Sequence, residues 1–191
     1  MNPIQLWKRF WKFLKEDTWQ SWLVSLVLAF LIIKFIFFPL MSFTFATSLP
    51  LVVVESCSMY HSTGFDSWWE SNAAYYLNKG IAKNTFEKFL FKGGLNKGDI
   101  ILVSGRGGYE LGDIIIFETD FSQFPLIHRI IEYDDIISTK GDKNPDQLEQ
   151  EKNIPEDKIL GKAIAKVPGL GWVKLIFFEF TKPEGQKGFC R

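Results

Sequence analysis

Histidine and cysteine are scarce in this chain, with two of each among 191 residues. A structural or catalytic zinc takes three or four ligands at recognisable spacing. His61, His128, Cys57 and Cys190 offer no such spacing, so neither a metal nor a cofactor is expected. Two cysteines do not make a disulfide framework. With Cys190 beside the last residue and Cys57 between two serines, a lone bridge between them is not expected either. An excess of one charge is missing too: 22 basic residues balance 22 acidic ones. That leaves no electrostatic footprint for nucleic acid, which needs a basic excess or patch.

Apolar and aromatic residues are plentiful, with 19 Phe and 7 Trp crowded toward the N-terminus and the middle. Such residues suit a membrane and its interface. From Trp19 to Leu40 the chain reads "WQSWLVSLVLAFLIIKFIFFPL", long enough for a hydrocarbon core of ~30 Å, which takes ~20 residues. Its one charge, Lys34, lies toward one end, where a long side chain reaches the interface. Lys8, Arg9, Lys12 and Lys15 precede it against Glu16 and Asp17. The positive-inside rule then predicts a cytoplasmic N-terminus, with everything after about Met41 on the extracytoplasmic side. The run exceeds the ~7–15 apolar residues of a cleaved leader, so residues 19–41 are expected to be a retained, single-pass anchor in the cell or endoplasmic-reticulum membrane. Ahead of it, residues 1–18 carry Leu6, Phe10, Phe13 and Leu14 at helical spacing. They predict an amphipathic helix on lipid, a frayed tail being the alternative.

Beyond the anchor the period changes. "LPLVVVES" (49–56), "DIILVSG" (99–105), "GDIIIFE" (112–118), "PLIHRIIEY" (125–133) and "DIISTKG" (135–141) are short β-branched runs punctuated by Gly, Asp and Pro. The expected fold is mainly β: an extracytoplasmic β domain over residues 42–180, followed by a tail over 181–191. One segment, 62–97, breaks the β rhythm. Asn84 and Glu87 stand at capping-box spacing there, Phe86, Phe89 and Leu90 share a helical face, and Trp68, Trp69, Tyr75 and Tyr76 precede them. Two short helices are expected. They form an insertion that dips into the outer leaflet or covers a groove, or else one whose aromatics pack on the domain.

With metal chemistry set aside, nucleophile and base remain. A serine hydroxyl needs a base to take its proton, and that base needs a third group to orient it. "VVVESCSMYH" (52–61) supplies Ser56 and Ser58, His128 lies on a strand among apolar residues, and "STKGDKNPDQ" (138–147) sets Asp142 and Asp146 in a turn. The order Ser, His, Asp follows. A thiol enzyme using Cys57 with His61 or His128 is the rival. Side chains alternate along a strand, which would set Cys57 opposite to Ser56 and Ser58.

Taken in order, "ESCSMYH", "GDIILV", "GDIIIF", "IHRII" and "TKGDKNPD" resemble the boxes of a type I signal peptidase (S26 serine peptidases) of the archaeal and endoplasmic-reticulum branch. The resemblance covers roughly residues 52–165. It implies a signal-peptidase-like β domain and a membrane-anchored serine endopeptidase that removes signal peptides from secretory preproteins, with accessory membrane subunits as further partners. By this resemblance Ser58 is the nucleophile and His128 the general base. Asp146 orients the imidazole and Asp142 shapes the turn, or the two exchange roles, and Ser56 joins the Ser58 backbone N–H in the oxyanion hole. Val52, Val53 and Val54 would supply an edge to which an extended substrate adds as a strand. Where relatives read S-M-x-P this chain has Tyr60-His61 after Met59, and Cys57 stands where Gly is usual. The missing proline and the 62–97 insertion favour the alternative of a catalytically inactive module that binds preproteins or assembles a complex.

Overall fold

The structure, a computed structural model, describes residues 2–184 and 187–190. Positions 1, 185, 186 and 191, which belong to the expected N-terminal segment and C-terminal tail, lie outside the described residues. The chain divides into two units, residues 1–44 and 45–191.

In the first unit, α1 (Pro3–Leu14) begins where sequence rules put it: Pro3 needs no N–H partner in the first turn, and Asn2 Oδ1 accepts from Ile4 N. Thr18 Oγ1 caps α2 (Trp19–Ile32) by accepting from Ser21 N. The helix widens into a π turn over Ile33–Phe37 and resumes as α3 (Phe38–Phe45). Pro39 accounts for the widening, because its ring would meet the Phe35 carbonyl in a regular α-helix. Trp19–Phe45 is 27 residues long and apolar enough to cross a membrane. It passes the expected end near Met41 because "SFTF" holds no breaker; Ala46, at φ 50°, ends it in the left-handed region.

The second unit is built on one antiparallel sheet of six strands: β1 (Leu51–Val53), β2 (Ile100–Ser104), β3 (Ile114–Thr119), β4 (Ser122–Tyr133), β5 (Ile137–Lys140) and β6 (Ile159–Val167), in the order β1-β2-β6-β3-β4-β5. The first five fall within or close to the expected runs. Only β6 lacks an advance signal. "ILGKAIAKV" is diluted by lysine, alanine and glycine, yet it pairs with both β2 and β3. Gly161 sits in β6 where a Cβ would lie 2.7 Å from Ser104 O, so the backbones approach there as only glycine allows.

The 62–97 insertion is helical, as α4 (Phe65–Asn78) and α5 (Lys83–Phe86). The expected capping box is not formed: Ala82 precedes α5, which lasts a single turn without a side-chain cap. Most of the aromatics turn inward. Trp68, Trp69, Tyr76, Ile81 and Phe86 form a buried cluster with Ile131 of β4, whereas Leu90, expected on the same face as Phe86, is exposed. Packing on the domain therefore accounts for these rings. Phe86→Ala should destabilise the chain by about 3–5 kcal/mol, read by equilibrium denaturation in detergent; a loss below about 1 kcal/mol would show that this cluster is not a core.

Candidate active site

β1 ends at Val53, and Val54 makes the last bonds toward β2, its N donating to Asp99 O at 2.9 Å and its O accepting from Gly98 N at 2.8 Å. The chain then turns, with Tyr60 N donating to Cys57 O. Ser56 and Ser58 thus meet across a turn instead of along a strand, their Oγ atoms 3.1 Å apart. Cys57 is joined to Cys190 by a disulfide, with the Cα atoms 5.6 Å apart. This overturns the expectation that the two cysteines stay apart. The fold returns the chain end to the start of β2, where Gly171 N donates to Gly98 O and Trp172 Nε1 to Lys97 O. Of the three valines, Val52 and Val54 pack on the core, and β1, paired only with β2, is an edge of the sheet.

His128 projects from β4, opposite Ile115 of β3. Ser58 Oγ donates to its Nε2 at 2.9 Å, and its Nδ1–H donates to Glu151 Oε1. Glu151 ends a 3-10 turn (Glu149–Glu151) and is wholly buried; its Oε2 accepts from Leu148 N at 2.6 Å and its Oε1 from Thr139 Oγ1 at 3.3 Å. The carboxylate beside the imidazole is therefore Glu151, not Asp146 or Asp142. Asp146 is exposed and accepts from Gln147 N within its own turn. Gln147 Nε2 donates to Thr139 O, which holds the following turn under β5 and brings Glu151 inward. In "DQLEQEKN" nothing in the sequence separates Glu151 from its acidic neighbours.

Asp142 has no exposed surface, and its partners fill it. Arg129 donates from Nε at 3.0 Å to Oδ1 and from Nη2 at 2.8 Å to Oδ2; His61 Nε2 lies 3.0 Å from Oδ2, and Tyr76 OH donates to Oδ1 at 3.2 Å. Burial alone would raise the Asp142 carboxyl, but Arg129 and His61 reverse this and hold it well below the usual carboxylate range. Burial likewise pulls the Lys140 amine down, against the pull of Asp142 and Glu151. Between Lys140 and Asp142, Gly141 keeps a gap open: a Cβ there would sit 2.9 Å from both His128 Nε2 and Ser58 O.

Chemically, a carboxylate that accepts from Nδ1–H leaves Nε2 as an acceptor facing a hydroxyl. That is the arrangement that draws a proton from serine. Ser58 keeps part of its surface exposed while His128 and Glu151 are buried, so a substrate can reach the oxygen but not the relay behind it. Among the described residues no His, Cys, Asp or Glu cluster is placed to hold a metal.

The depressed Asp142 carboxyl sets an acid limit. A group whose folded pKa lies below the ordinary ~3.9 contributes stability above that value and loses it as the pH falls through the folded pKa. Stability should fall below about pH 4. Asp142→Asn, already weakened by about 3–5 kcal/mol through the uncompensated Arg129, should lose less over the same acid interval, read by thermal melts against pH.

No family model matches the chain. Three curated relatives do, each named a signal peptidase complex catalytic subunit SEC11. The Dictyostelium discoideum protein is 26% identical over 104 residues, covering 45% of this chain and 55% of the relative. The Eremothecium gossypii protein is 30% identical over 96 residues, covering 44% and 58%, and the Komagataella phaffii protein 27% over 100 residues, also 44% and 58%. The chain thus spans little more than half the length of the curated relatives it matches. Within that span it is related in sequence to signal peptidase catalytic subunits, the relationship that its ordered motifs imply.

Proposed function

We propose that the protein is a membrane-anchored serine endopeptidase that removes signal peptides from preproteins, with Ser58 as nucleophile, His128 as general base and Glu151 as the group that orients the imidazole. The hydrogen-bonded chain Ser58–His128–Glu151 carries this reading. His128 takes the Ser58 proton as the oxygen attacks the scissile carbonyl, then returns it to the leaving amine. Water repeats the sequence on the acyl-enzyme. Ser56 Oγ and the Ser58 backbone N–H face the charge that develops on the carbonyl oxygen, where loss of one donor costs about 3 kcal/mol.

Substrate would add as a strand on β1, whose outward backbone groups lie at the sheet edge. The span Trp19–Phe45 would hold the enzyme in the bilayer that also holds the apolar part of a signal peptide, raising effective concentration. A cytoplasmic N-terminus and an extracytoplasmic catalytic domain fit the basic residues ahead of the span. The Cys57–Cys190 bridge fits an oxidising compartment. Lipid and accessory membrane subunits are the partners this reading implies.

Cleavage of a model preprotein by the full-length protein in detergent tests the assignment. Ser58→Ala should abolish cleavage. Glu151→Gln should cut kcat by about a hundredfold or more through loss of the correct tautomer, whereas Asp146→Asn should stay within about threefold of wild type. Gly141→Ala, by pushing apart Ser58 and His128, should cost about a hundredfold. An active Ser58→Ala enzyme would refute the hydrolase reading; an active Glu151→Gln beside an inactive Asp146→Asn would return the orienting role to Asp146.

A further inference from the structure

The turn that carries Ser58 is held from two sides. Its later half belongs to the sheet domain: Lys143 N donates to Ser58 O at 2.7 Å and Leu95 N to Met59 O at 2.8 Å. Its earlier half, Glu55–Cys57, meets the end of the chain. Lys182 Nζ donates to Glu55 O at 3.1 Å, Lys174 Nζ to Glu55 Oε1 at 2.9 Å, and Cys57 is bonded to Cys190. That end is itself fastened. In α6 (Trp172–Phe178), Leu175 is buried. Just beyond it, Glu179 Oε1 accepts from Lys97 Nζ at 2.5 Å and from Gly188 N at 3.0 Å, while Phe189 packs on Trp172 with ring centroids 4.5 Å apart. Residues 171–184 and 187–190 therefore act as a strap from the start of β2 to the residue next to the nucleophile.

We propose that this strap is a positioning element for the nucleophile turn. It fixes Glu55–Cys57, and through them the relation of Ser56 Oγ to Ser58 Oγ, and opening the Cys57–Cys190 bridge releases it. Its effect on rate rests on the hydrolase reading; its hold on the turn does not. A dithiol such as dithiothreitol opens the bridge in two exchanges. One reductant thiolate attacks a cysteine sulfur, the S–S bond breaks, and the other cysteine leaves as a thiolate. The second reductant thiol then displaces the bound cysteine. The reductant ends as a cyclic disulfide and both cysteines as thiols.

The test is hydrogen exchange on the full-length chain in detergent, with and without dithiothreitol, thiol alkylation reporting the state of the bridge. Exchange at Tyr60, whose N–H donates to Cys57 O, should rise about tenfold or more on reduction while β2 and β4 keep their protection, and reoxidation should reverse it. A Cys57→Ala/Cys190→Ala chain should show the raised exchange without reductant and no response to it. In preprotein cleavage, reduction should lower kcat about tenfold with KM changed less than about threefold, and Lys182→Met should move kcat the same way by less. Unchanged exchange at Tyr60 with the bridge shown open overturns the proposal. So does a loss of protection spread over β2 and β4, which would make the bridge a general staple, or an equal reductant effect on the double variant. If the oxidised protein does not cleave, the hydrolase reading fails and the exchange result still decides whether the strap holds the turn.

Discussion

A carboxylate and a guanidinium that are both out of reach of water must be answered in full, because a buried charge left unpaired costs several kcal/mol. Arg129 and Asp142 are such a pair, with no exposed surface on either. What completes them ties the domain together. Arg129 also donates to the carbonyls of Leu90, Phe91 and Gly112 and lies 4.8 Å from the Phe86 ring centroid. Asp142 takes Tyr76 from α4 and His61 from just beyond the Ser58 turn. One ion pair thereby fixes the insertion, the approach to β3 and the loop after β5 against one another.

The groups of the candidate site are neighbours of that pair in sequence and inherit its placement. His128 precedes Arg129 on β4, and successive strand residues face opposite ways. Sending Arg129 toward the insertion therefore turns His128 toward Ser58. Gly141 precedes Asp142 in the same manner and leaves the space that the imidazole occupies. His61 is held flat on Trp68, ring centroids 3.8 Å apart, and this secures the chain three residues beyond Ser58. In this protein His61 supports the loop and does not compete for the hydroxyl.

Pattern carried far because the features it read are local. β-branched runs between Gly and Asp gave five strands. An uninterrupted apolar run gives the long helix, and the resemblance of the ordered motifs to signal peptidases singles out Ser58 and His128. What escaped depends on contacts distant in sequence. β6 is made a strand by two neighbours and not by its own "GKAIAK". Glu151 becomes the partner of His128 only because the loop after Asp142 folds back beneath β5, so the nearer and more conspicuous Asp146 was the natural candidate. The disulfide closes a separation of 133 residues, and nothing near either cysteine announces the other. The aromatics of 62–97 read equally well as a membrane face or a core until Ile131 of β4 is seen among them.

The exposed edge of the sheet is brief. β1 has three residues, Pro50 stands before it, and the Glu55 carbonyl beyond it is already taken by Lys182. A long bare edge invites another copy of the chain to continue the sheet, and sheet proteins guard against that by shortening such edges. On the proposed function the shortness would serve two ends: a stretch of a few extended residues finds enough backbone to pair with, while a whole neighbouring sheet does not. On that same function, a preference for a thin, unfolded segment over a folded domain would be set by the length of one strand, before any side chain is consulted.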